Sequence, residues 1–139
     1  TINNGNIKFI DGKTKITTIN NANIYFVREN AKVGTLNGGN IFAISNDAQI
    51  TTMNHGTIEY ILDNVRVGVI NSGTVSHICD SAEVGTLNGG KIDELMGHSF
   101  VGQQIGGRIR QKSGNALIVY KQKIKANPDN VKQKGKAGE

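Results

Sequence analysis

Three histidines, one cysteine and eleven carboxylates are the side chains in this sequence able to bind a metal, carry a proton or attack an electrophile. Zinc and its relatives need three or four nitrogen and sulfur donors brought to one point. His55, His77 and His98 instead occupy three different positions of the repeat described below, and no Cys/His or carboxylate cluster has ligand spacing. Asp93 and Glu94 beside His77 and Glu59 come nearest to a cluster that could cleave a carbohydrate, and they read as a solvated acidic patch. Cys79 stands alone, so it forms no internal disulfide. The equivalent positions hold Asp11, Arg28, Ser45, Leu62 and Met96, which marks a half-exposed corner thiol and not a nucleophile. Gly38-Gly39 and Gly89-Gly90 precede neither a helical pattern nor a Lys-Thr pair, as a phosphate-binding loop would require. The chain is read as non-enzymatic, with no metal and no cofactor.

Groups suited to binding are more prominent. One set of paired positions reads Lys8-Phe9, Tyr25-Phe26, Phe42-Ala43, Glu59-Tyr60, Ser76-His77 and Asp93-Glu94, and holds five of the seven aromatic residues. Glu94 and Gln111 continue the column of Phe26 and Tyr60, so these positions are expected to point outward. Tyr25, Phe26, Phe42 and Tyr60 would then form an exposed apolar strip, the usual mark of an interface for a partner or for a homodimer.

The second set is basic. Residues 1–107 carry seven basic against nine acidic groups, whereas nine basic residues face Asp129 and Glu139 from Arg108 onward. Arg108, Arg110, Lys121, Lys123 and Lys125 are the expected contacts for an acidic protein surface or an RNA backbone, through a salt-dependent attraction without base reading. Stacking on single-stranded bases is poorly supported, since Tyr120 is the one aromatic in this region. Lysine-rich ends also discourage strand pairing, which gives Ala126–Glu139 an alternative, protective role.

The elements that must position these groups follow from a repeat of 17 residues. One apolar column runs Ile16, Val33, Ile50, Val67, Val84, Val101, Ile118, and another Ile7, Ile24, Ile41, Ile58, Val75, Ile92, Ile109. Satellite columns run from Ile2 to Leu87 and from Ile10 to Leu95. Each unit divides into halves of eight and nine residues, too short for helices and rich in β-branched residues that favour strands. A pair of such strands cannot bury its own apolar face, but stacked coils can. The fold class is therefore all-β: a single-stranded β-solenoid, or parallel β-helix, of about seven coils with two pseudo-equivalent halves each. Asn3, Asn20, Asn37, Asn54, Asn71 and Asn88 are expected to form a hydrogen-bonded corner ladder. A second corner, at Asn30, Asp47, Asn64, Ser81, His98 and Asn115, reads the same way.

Residues 1–118 are assigned to the solenoid and 119–139 to a capping strand and basic tail, with the last strand expected over Leu117–Ile124. The repeat begins at Thr1, which leaves the first coil an open edge whether Thr1 is a trimmed start or a fragment boundary. No apolar run reaches the roughly 20 residues of a membrane span, and no signal-peptide pattern opens the chain. A reducing host cytoplasm or a virion is the expected setting, without a membrane partner.

Segments such as VGTLNGGNIFAISNDAQI and VGVINSGTVSHICDSAEV resemble the short-coil β-solenoids of uncharacterised bacterial and bacteriophage open reading frames. The likeness is to a coil and carries no functional residues. The aromatic face and basic extension on such a coil lead to the expectation of a phage or mobile-element product that binds a host protein or nucleoprotein, a host-defence inhibitor being one form. The alternatives are a segment of a phage fibre or self-stacking assembly, and a carbohydrate-active or carbohydrate-binding β-helix. The Thr-rich half-coils Thr17-Thr18, Gly34-Thr35, Thr51-Thr52, Gly68-Val69 and Gly85-Thr86 also resemble the ice-binding face of some antifreeze solenoids. Glycine breaks the two-rank threonine array, however, and reads as a small residue at a tight corner.

Overall fold

β-branched residues favour extended backbone, and in each short strand one apolar residue near the start and one at the end turn inward, as Ile58 and Ile61 do in their five-residue segment. The computed structural model of the protein describes residues 1–122. In chain order its strands are β1 (Asn6–Ile10), β2 (Lys15–Ile19), β3 (Ala22–Val27), β4 (Lys32–Leu36), β5 (Gly39–Ile44), β6 (Gln49–Met53) and β7 (Thr57–Ile61). There follow β8 (Arg66–Ile70), β9 (Thr74–Ile78), β10 (Glu83–Leu87), β11 (Lys91–Leu95), β12 (Phe100–Gln104), β13 (Arg108–Lys112) and β14 (Leu117–Lys121). Among the described residues there is no helix.

The odd strands form one seven-stranded parallel sheet and the even strands another, each in sequential order. Two strands and two corners make one coil, and seven coils stack in a register of 17 residues, as in the pairs Ile24↔Ile41 and Val33↔Ile50. This is the β-solenoid expected from the repeat. The core is a ribbon between the two sheets, in which Ile58, Val75 and Ile92 stack from one side and Ile50, Val67 and Val84 from the other, all buried. Pairing continues through Lys121, so β14 is an in-register half-coil on β12.

The two corners are held differently. At one, each asparagine donates Nδ2 to the Oδ1 of the coil below, from Asn20 on Asn3 (2.7 Å) to Asn88 on Asn71 (2.9 Å), which is the expected ladder. At the other, the expected ladder of Asn30, Asp47 and Asn64 is corrected by one position. The backbone N–H groups of Glu29, Asn46 and Asp63 donate to the side-chain oxygens of Asn46, Asp63 and Asp80 in the coil above, at 2.9–3.0 Å. Glu29, Asn46, Asp63 and Asp80 adopt φ near 60°, the left-handed turn that brings their side chains alongside the backbone of the coil below. Gly12, Gly97 and Gly114 fill the same place in other coils.

A second correction concerns Gly34, Gly68 and Gly85, which lie at the centres of β4, β8 and β10 and not at corners. A Cβ on Gly68 would stand 2.5 Å from the carbonyl oxygen of Thr51 in the coil below. Close approach of backbones, not turn geometry, selects glycine there.

Candidate interaction face

The outer surface of the odd-strand sheet carries the aromatic side chains, which point outward as the column of Glu94 and Gln111 suggests. Phe9, Tyr25 and Phe42 are 40%, 62% and 46% exposed, while Phe26 and Tyr60 are half-buried. They form one continuous ladder. Phe9 stacks on Phe26 with ring centres 5.6 Å apart, Phe26 meets Phe42 edge-on at 5.9 Å, Phe42 meets Tyr60 at 5.5 Å, and Tyr60 stacks on His77 at 5.0 Å. The ladder changes column at the third coil because that coil has Ala43 where its neighbours have Phe26 and Tyr60. Phe42 bridges the gap from the next column, and Ala43 is buried. Ring pairs of this geometry stabilise by about 0.5–1.5 kcal/mol beyond their burial.

Polar residues frame the ladder. At the first coil the Arg28 guanidinium sits 4.2 Å from the Phe9 ring centre and 3.2 Å from Asp11, a cation–π and ion-pair combination that holds both in place. At the far end His77 Nδ1 lies 3.0 Å from Glu94 Oε1, and Asp93 lies 3.2 Å from Lys91 and 3.8 Å from Arg110. Asn6, Asn23 and Asn40 form a further amide ladder beside the rings at 3.0–3.1 Å. With Lys8, Tyr25, Phe42 and Glu59 they line a shallow groove of about 820 Å³. The second asparagine ladder shares the 17-residue spacing of the first and could have been read from that alone.

The three histidines are not brought together: His55 lies beside the asparagine-ladder corner, His98 at the opposite corner and His77 on the aromatic face. Among the described residues no three of His, Cys, Asp and Glu cluster in a way that could hold a metal ion. Cys79 is half-buried just beyond β9, and burial with the nearby negative charges of Asp80 and Glu94 pushes its thiol pKa above the ordinary value. That shift disfavours the thiolate a nucleophile needs.

The basic residues meet at the last coil. Arg108, Arg110, Lys112 and Lys121 are exposed and, with Ile109 and Ile118, line a cleft of about 680 Å³ over the end of the solenoid. Lys112 and Lys121 continue the interior columns of Leu95 and Gln104, so they stand where earlier coils bury apolar side chains. Lys123, Lys125 and the segment Ala126–Glu139 lie outside the described residues. No helix of the described residues is long and apolar enough to cross a membrane. Set against known proteins, the chain matches no protein-family model, no curated protein and no solved structure.

Proposed function

We propose that this protein is a rigid, non-enzymatic interaction module that docks through the outer face of the odd-strand sheet. The observation that carries this reading is the unbroken ladder from Phe9 to His77, whose most exposed members, Tyr25 and Phe42, stand in water on a surface fixed by seven hydrogen-bonded strands. Aromatic anchors on a preorganised surface lose little entropy on binding and commonly dominate interface energies. A host protein or nucleoprotein is the kind of partner that the sequence suggested for such a face.

A second reading is favoured by the basic rim of the last coil. Arg108, Arg110, Lys112 and Lys121 converge on one cleft, which suits an acidic surface or a phosphate backbone. Contact there would weaken steeply with salt, whereas docking on the aromatic face would not. Replacing Phe26 and Phe42 with serine tests the main reading. Loss of association with an unchanged cooperative melt supports it, and unchanged mass and partner capture would leave the rings as surface decoration.

A further inference from the structure

Resting on that reading, we propose that the occupant of the aromatic face is a second copy of this chain, packed antiparallel about a twofold axis that runs along the strands between the third and fourth coils. Such an axis brings each outward column against itself and coil n against coil 7 − n of the partner. Lys8 then faces Asp93, the most exposed ring, Tyr25, faces the small Ser76, and Ala43 faces Tyr60. Phe26 lies against His77, Phe9 with its Arg28 cation against Glu94, and Phe42 turns a ring edge towards Glu59. Two of the six pairs, Tyr25 with Ser76 and Ala43 with Tyr60, set a large residue against a small one across sheets that pack about 10 Å apart, and no like charges are opposed.

Other arrangements fare worse. A parallel twofold pair sets Asp93 against the Glu94 of the second copy. Moving the axis to the fourth coil opposes Lys8 to Arg110 and Glu59 to itself. Moving it towards the first coil removes the like-charge clashes but leaves only four or five coils in contact. Six coils at about 4.8 Å, with five-residue strands at about 3.3 Å per residue, give a flat area of about 475 Å² per copy. The pair thus covers about 950 Å², near the ~1,000 Å² expected of a specific interface, whereas four or five coils give about 630–790 Å², the size of a chance contact. The chosen register is the largest overlap free of like-charge opposition.

Sedimentation of the full chain across micromolar concentrations should show a monomer–dimer equilibrium. A Cys79→Ser chain carrying Tyr25→Cys and Ser76→Cys, treated with a short bis-maleimide, should give a two-chain species in high yield. Tyr25→Cys or Ser76→Cys alone, in the same background, should not. Ser76→Tyr sets a second ring opposite Tyr25 and should weaken the dimer at least tenfold with the melt unchanged, although it adds apolar surface. A dimer that is disrupted by Phe26→Ser with Phe42→Ser but fails to cross-link at these positions overturns the register and leaves the interaction face standing. A chain that is monomeric throughout overturns the second copy as occupant, and the serine pair's effect on partner capture then judges the face independently.

Discussion

Gln104 occupies the interior column of Ile19, Leu36, Met53, Ile70 and Leu87, is 7% exposed, and its Oε1 has no hydrogen-bond partner. A buried amide oxygen without a donor costs about 1–3 kcal/mol, so Gln104→Leu should raise stability by about 1 kcal/mol, read as a higher urea midpoint at constant slope. An unchanged or lower midpoint would mean that this end of the core is wet. Cys79 yields a second expectation. Its folded-state pKa lies above the unfolded value, so the stability linked to it is complete below the ordinary thiol range and is lost as pH rises through the raised value. Its alkylation near neutral pH should therefore lag behind that of the urea-unfolded chain by several-fold, the gap narrowing in strong base; equal rates would show a freely ionising thiol. At this scale the outward aromatics were legible in the sequence, because Glu94 and Gln111 continue the column of Phe26 and Tyr60. Arg28 was not, since its reach back over Phe9 belongs to one long side chain and recurs in no other coil.

Strands and corners were legible to different degrees. The spacing of Ile, Val and Leu fixes both sheets, because a slip of one residue would turn every apolar column into solvent. That dependence is testable at Ile58, fully buried between Ile41 and Val75. Ile58→Asp puts a charge among apolar neighbours on both adjacent coils and should cost more than about 4 kcal/mol, abolishing the cooperative melt seen by circular dichroism. A melt close to the parent's would mean that the column does not lie inside. The first asparagine corner was readable from its periodicity. The second was displaced by one residue, because Glu29, Asn46, Asp63 and Asp80 vary in type and conceal the shared φ near 60° that defines the turn. Glutamate in that conformation is uncommon, so a search for the usual turn residues settles on the neighbouring column. The glycines of β4, β8 and β10 were misplaced for a related reason: the carbonyl oxygen of the coil below, a contact made 17 residues away, excludes their Cβ.

A stack of parallel coils has an inherent hazard, since each end presents unpaired strand edges and a slice of the core. At the last described coil, Ile109 and Ile118 keep the apolar frame, while the inward columns turn to Lys112 and Lys121, both exposed. The sequence signals this change as a loss of pattern, but its effect depends on the paired register of β11 with β13 and of β12 with β14. A further coil added in register, from any chain, would bury two ammonium groups over Leu95 and Gln104 with no carboxylate within the interior columns to receive them. Burying an unpaired ammonium costs several kcal/mol, more than one added coil of narrow core returns. Lysines in these two columns are therefore expected to oppose a further in-register coil, independently of the aromatic face on the flank. Lys112→Leu combined with Lys121→Leu should leave the melt as high as the parent's or higher and give species larger than the parent's, seen as light scattering that increases with concentration and as elongated particles in negative-stain images. Replacing the same two lysines with glutamate keeps a charge in each column and should not produce those species. If the leucine pair stays at the parent's mass, the end is blocked by something other than buried charge, and the two lysines serve the basic cleft alone.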